Sequence, residues 1–198
     1  MRSLLKTPIF PEKLAPYKGV IYFMLILVVS HFFWKFTMLG DDSDLVVTFF
    51  GLNVSAPFNL MADHVARATY ALLHFFGSSV QLEPYNILRY DNGVAVRIVW
   101  ACSGLKQAYI FICIIGLSKG AWKNKLWYIP AGLVVVYLFN IIRITSITAL
   151  IHTHPNWFYL LHEHLFKYLF YVVIFGMWVI WNEKLTAAPK TTTNSITQ

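Results

Sequence analysis

Three residues of this chain are of the types that cysteine-based acyl transfer requires. Cys102 offers a thiol, His162 an imidazole that titrates near neutrality, and Arg143 a permanent cation. A thiol is a good nucleophile only as thiolate, a form favoured by a helix N-terminus or a neighbouring cation. Cys102 opens an apolar helical run and Lys106 follows one turn on, so both influences are within reach. Ser103 and Gly104 then provide a small, open backbone against which a substrate carbonyl can come. His162 can serve in turn as general base and general acid toward a leaving amine. Arg143 stands inside an apolar run, where an arginine normally faces a polar cavity or a partner. Asn140, one turn earlier on the same helix face, is placed to hold the guanidinium or a substrate carbonyl.

Each of these residues also has a plainer reading. A membrane cysteine is often just a small buried apolar side chain, as Cys113 deeper in the same run illustrates. Arg143 can snorkel to an interface, and Asn140 can act as packing glue between helices. His152, His154 and His164 lie close to His162, but no spacing among them brings a cysteine or carboxylate into a zinc pattern. No metal and no cofactor is therefore expected. The two cysteines are separated by about 16 Å of helical rise, which forbids a disulfide between them.

The elements that position these residues follow from hydropathy. Of 198 residues, 58% are hydrophobic and only 13% charged, far from the balance of a soluble domain, so the chain belongs in a membrane. Aromatics at 17%, including seven Trp, suit the headgroup level. The net charge of +7 does not indicate nucleic acid, because the basic residues flank apolar runs and form no basic and aromatic stripe. They read as topology signals.

The first span runs from about Gly19 to Leu39 and matches the hydrocarbon thickness, with Lys35 snorkelling and His31 packed or facing the headgroups. Arg2, Lys6, Lys13 and Lys18 precede it and Asp41, Asp42 and Asp44 follow, which orients its N-terminus inside. No cleavable signal peptide is expected. Residues from about Leu45 to Val80 then lie outside. They include an amphipathic segment, Phe58 to Phe76, bearing Asp63, His64, Arg67 and His74, which fits a helix at the interface or over the bundle better than a full span. Asp91-Asn92-Gly93 signals a hairpin turn within residues 81 to 99. The second span enters at Ile98 and leaves at Ser118. Lys119 to Lys125 forms an inner basic loop, Leu126 to about Ile151 returns, and His152 to His162 is an outer loop. The last span runs from Glu163 or His164 to Trp181. The expected architecture is an all-α polytopic membrane protein of about four spans, with an outer amphipathic helix and a small β-hairpin. Residues 1 to 185 form one domain, and 186 to 198 a polar, disordered tail.

This topology, drawn from loop charges alone, carries Cys102, Arg143 and His162 to the same depth at the outer face. In order along the chain stand Ala101-Cys102-Ser103-Gly104-Leu105, Asn140-Ile141-Ile142-Arg143-Ile144, and Leu161-His162-Glu163 followed by Phe170. Together these resemble the ACSG block, the N-x-x-R block and the histidine of the exosortase/archaeosortase family. The resemblance covers residues 98 to 170, and the chain is similar in size to the shorter stand-alone members, the F type being nearest. Many members carry a glycine four residues after the histidine. This chain has Phe166 there, so the placement of His162 leans on Glu163 and Phe170, and His164 stays open as its substitute.

The resemblance implies a cysteine transpeptidase or protease in the cytoplasmic (inner) membrane, with both termini cytoplasmic and the site on the outer side. Cys102 would attack a peptide carbonyl, Arg143 would stabilise the oxyanion and His162 would protonate the departing amine, with Ser103, Gly104 and Asn140 contacting substrate. Its implied partners are exported proteins with a C-terminal sorting signal (a short motif, a membrane helix and a basic cluster), an acceptor of unknown identity, and membrane lipids. Other classes remain to be weighed against it: a non-enzymatic scaffold or assembly factor, a small transporter, for which no inverted repeat exists, and a protease in which water takes the acceptor's place.

Overall fold

The structure, a computed structural model, describes residues 17–41, 46–157 and 165–186. It is mainly helical. Helix α1 (Lys18–Thr37) is followed by a three-stranded antiparallel sheet of β1 (Met38–Asp41), β2 (Val46–Phe49) and β3 (Leu52–Asn53). Helix α2 (Ser55–Phe75) leads to a second such sheet, β4 (Val80–Glu83), β5 (Ile87–Tyr90) and β6 (Ala95–Arg97). A 3-10 turn, Trp100–Cys102, precedes α3 (Leu105–Leu117), and then come α4 (Trp122–Thr153) and α5 (Phe166–Ile180), the last running into a π-helical turn, Trp181–Leu185.

Helices α1 and α4 are each long and apolar enough to cross a bilayer. Helix α1 buries Phe23, Ser30, Trp34 and Thr37 and leaves Met24, Leu25, Val29 and Phe36 at least half exposed. An apolar stripe of that length suits lipid rather than water. At 32 residues, α4 rises about 48 Å, well beyond the roughly 30 Å hydrocarbon layer. Its surplus length carries the second sheet: Tyr90 Oη donates to Thr148 O (3.2 Å), and Asn92 Nδ2 donates to His152 O (3.1 Å). Burial pushes the Tyr90 phenol up, which keeps it a donor. His152, expected to open a loop, belongs instead to the last turn of α4 and stacks near Tyr90, with ring centroids 4.3 Å apart.

The main core lies among α1, α3, α4 and α5 around Phe111, Ile114, Phe170, Ile174 and Trp181. Close approach of α3 to α4 depends on Gly132, where a Cβ would stand 2.1 Å from the Phe111 ring. A second core joins α2 to α4 and the second sheet through Val65, Leu73, Leu88, Ile98 and Ile144. Helix α2 thus covers the sheet-bearing end of the bundle with one apolar face, as its amphipathic pattern requires. On its open face Arg67 pairs with Asp63 at 2.9 Å.

Several boundaries differ from expectation. The first span stops at Thr37, because Met38 enters a sheet that the apolar run Val46-Val47-Thr48-Phe49 had not signalled as strand. The second span is helical only from Leu105, so Cys102 sits on the turn before the helix and not on it. The expected hairpin at Asp91-Asn92-Gly93 is present as β5 and β6, with β4 added at its edge. The basic loop is shorter than expected, since α4 begins at Trp122 and takes in Lys123 and Lys125. The polar tail beyond Thr186 lies outside the described residues.

Candidate active site

The turn that carries Cys102 is built by local hydrogen bonds. Cys102 N donates to Val99 O (2.8 Å) and Ser103 N to Trp100 O (3.1 Å). Gly104 then adopts a left-handed conformation (φ 80°) and becomes the N-cap of α3, so glycine is required for the chain to turn from the 3-10 segment into the helix. Ser103 Oγ accepts from Leu105 N (3.3 Å), and Gly104 O accepts from Ala108 N (3.0 Å), which starts the helix. Cys102 therefore stands just before the N-terminal, positive end of α3.

The second motif reaches this turn directly. Asn140, fully buried, donates from Nδ2 to Cys102 O at 2.8 Å. The asparagine thus bonds the backbone of the turn that carries Cys102. The fit is tight: a Cβ on residue 104 would stand 3.0 Å from Asn140 Cγ and Nδ2. Arg143 lies one turn further along α4 at 7% exposure, so it does not snorkel to an open interface. Counted from Trp122, it sits about 30 Å up α4.

Three hollows meet at the Ala101–Gly104 turn. One of about 200 Å³ is lined by Ala101, Lys106, Gln107, Arg143, Lys167 and Tyr171, with Phe166 and Phe170 behind. Another, about 210 Å³, lies on the α1 side between Lys35, Lys106, Trp100 and Ser103. The third, about 310 Å³, is an apolar groove past Ser103, Gly104, Leu133, Val134 and Tyr137. Among the described residues no carboxylate lines any of them, and those lining the first two present mainly cations. Three buried polar atoms around the turn, Trp100 Nε1, Gln107 Oε1 and Asn140 Oδ1, have no hydrogen-bond partner among the described residues. Such atoms in a native interior call for a ligand or water.

Cys102 is 8% exposed and counts among the buried apolar residues that join α2 to Ile144. Helix α2 therefore covers one side of the thiol. Lys35, expected to snorkel, is exposed in the last turn of α1 at the rim of one hollow. His31 Nδ1 lies 3.1 Å from Tyr171 Oη, which places a histidine and phenol pair behind the Arg143 hollow. Sequence reasoning gave His31 a packed or headgroup-facing role and assigned none to Tyr171, Gln107 and Lys167. Nothing in their spacing marks them. His64, on the outer face of α2, lies 2.6 Å from Tyr137 Oη. His162, Glu163 and His164 lie outside the described residues. Phe166 and Lys167 at the start of α5 flank the same hollow as Arg143. No group of three potential metal ligands occurs among the described residues.

The Cys102 turn, the buried Arg143 and the covering amphipathic helix α2 thus come together at one end of the bundle. Residues 19–180 match the family model of the transmembrane exosortases (Exosortase_EpsH), and the chain belongs to that family. Neither a curated protein nor a solved structure matches it.

Proposed function

We propose that this exosortase-family protein is a membrane cysteine transpeptidase that cleaves C-terminal sorting signals of exported proteins and transfers them to an acceptor. The observation that carries the reading is the 2.8 Å bond from Asn140 to the Cys102 carbonyl, which ties the N-x-x-R block to the A-C-S-G block.

In this reading the Cys102 thiolate attacks the substrate carbonyl carbon, and the carbonyl π electrons move onto oxygen. Arg143 stabilises the oxyanion, and the turn's own N–H groups at Cys102 and Ser103 are already spent on Val99 and Trp100. His162 delivers a proton to the amine as the C–N bond breaks, leaving a thioester on Cys102. An acceptor nucleophile then attacks the thioester and expels the thiolate. Ser103 and Gly104 provide the surface on which the scissile peptide lies, and the unpartnered Asn140 Oδ1 and Gln107 Oε1 accept its N–H groups. The apolar groove beside Ser103 and Gly104, with Val134 more than half exposed on its wall, suits the apolar helix of a sorting signal entering sideways.

The same reading makes α3 and α5 the second and fourth spans of a four-span bundle. At 13 and 15 residues they are short for a bilayer, but the 3-10 turn extends α3 at one end and the π turn extends α5 at the other. Both termini then lie on the cytoplasmic side of the inner membrane and the Cys102 turn on the outer side, as the flanking lysines favour.

The test is processing of a tail-tagged substrate in cells carrying Cys102→Ala, Arg143→Ala or His162→Ala, with Cys113→Ala and His164→Ala at matched expression. Loss in the first three and retention in the other two is expected. Normal processing by Cys102→Ala would remove the nucleophile and bring a scaffold role forward.

A further inference from the structure

At the end of the bundle opposite Cys102, a hollow of about 280 Å³ opens between the start of α1, the end of α3 and the end of α5. Its mouth carries Lys18, Lys119 and Asn182, and its wall is Phe23, Ile26 and Trp178. Among the described residues no carboxylate lines it. We infer that this hollow seats the phosphate headgroup of an anionic phospholipid, with the first part of an acyl chain lying against the apolar wall.

The charge arrangement favours an anion more than a count of lysines would suggest. The C-terminal carbonyls of a helix ordinarily present partial negative charge and would repel a phosphate beside α3. Here Lys125, buried at 4% exposure, donates from Nζ to Gly116 O (2.7 Å) and Ser118 O (2.6 Å). That ammonium answers the end of α3 and leaves Lys119 to face outward. Trp181 Nε1 donates to Lys119 O (3.0 Å), which fixes the backbone from which the Lys119 side chain projects.

Depth and shape point the same way. Trp122 and Trp127, both more than half exposed at this end, mark the headgroup level. A cationic mouth above an aromatic wall matches an amphiphile, and basic pockets between membrane helices at such a level bind anionic headgroups. A free phosphate would use the mouth alone and gain nothing from Phe23, Ile26 and Trp178.

Gly19 separates this seat from simple attraction to an anionic surface. A Cβ there would meet Trp178 at an ordinary 3.6 Å, so a larger side chain extends into the hollow without moving backbone and without changing charge. The experiment is native mass spectrometry of the full chain released from micelles, titrated with phosphatidylglycerol, with phosphatidylcholine, and with inorganic phosphate. Lys18→Gln with Lys119→Gln should weaken phosphatidylglycerol binding by roughly thirtyfold. Gly19→Leu should weaken it by at least about tenfold, while Lys123→Gln with Lys184→Gln keeps wild-type binding. Circular dichroism and elution volume check that each variant is folded. Wild-type binding by Gly19→Leu, equal binding of phosphatidylcholine, or displacement of the lipid by inorganic phosphate would each overturn the proposal.

Discussion

Gly104→Ala should be among the most damaging single-methyl changes in this protein, through two separate costs. The residue holds φ 80°, where a Cβ costs roughly 1–2 kcal/mol. The added methyl would also stand 3.0 Å from the Asn140 amide, closer than side chains normally tolerate, and Asn140 is fully buried with little room to retreat. If the amide swings away, its bond to Cys102 O is lost and both groups stay buried, at about 1–3 kcal/mol. The sum is about 2–5 kcal/mol. Asn140→Ala alone removes the same bond at about 1–3 kcal/mol and vacates the space the methyl needs. The two changes therefore overlap: the double variant should be more stable than additivity predicts by roughly 1–3 kcal/mol.

The assay is a double-mutant cycle by SDS titration of purified protein, in a Cys113→Ala background so that alkylation reports Cys102 alone. Gly104→Ala should also raise the Cys102 alkylation rate and lower substrate processing on the order of a hundredfold, because displacing the turn misplaces the proposed nucleophile. Additivity within about 0.5 kcal/mol, with unchanged alkylation, would show that Asn140 does not hold this turn.

At the other end, Lys125→Met keeps the aliphatic stem but removes two charged hydrogen bonds to the end of α3. SDS titration should show a loss of roughly 1.5–3 kcal/mol with processing little changed, and unchanged stability would refute the capping role. In the second sheet, Arg89 donates to Glu83 from both Nε (2.6 Å) and Nη2 (3.1 Å) and holds its carboxyl below the usual range. A lowered carboxyl contributes stability that is complete above the ordinary carboxylate range and is lost as pH falls through the lowered value. Carboxyl NMR should therefore show Glu83 titrating at lower pH than in Arg89→Gln, and identical curves would mean the pair does not persist in solution.

What the sequence determined about this protein is what hydropathy and residue chemistry determine locally. Uninterrupted apolar runs have no stable alternative to helix in lipid, because every backbone polar group must be satisfied within the segment. For that reason α1 and the middle of α4 were legible, as was the amphipathic α2, whose charged positions fall on one face. The turn at Asp91-Asn92-Gly93 was legible because its residues favour that backbone shape. Cys102, Asn140 and Arg143 stood out because polar side chains in apolar runs are costly and need a reason.

Only the tertiary structure decided the rest. The first sheet, β1 to β3, escaped notice because strands that short are held by pairing with each other and by packing under α2, as with fully buried Val47, and not by their own pattern. Lys125 looked like one more loop lysine, and its burial follows from where the carbonyls of α3 happen to end. Asn140 could be placed on the right face of its helix but not on its partner. The distance from one helix to a turn of another is set by how closely α3 and α4 approach at Gly132, a contact between residues far apart in the chain that no local spacing encodes.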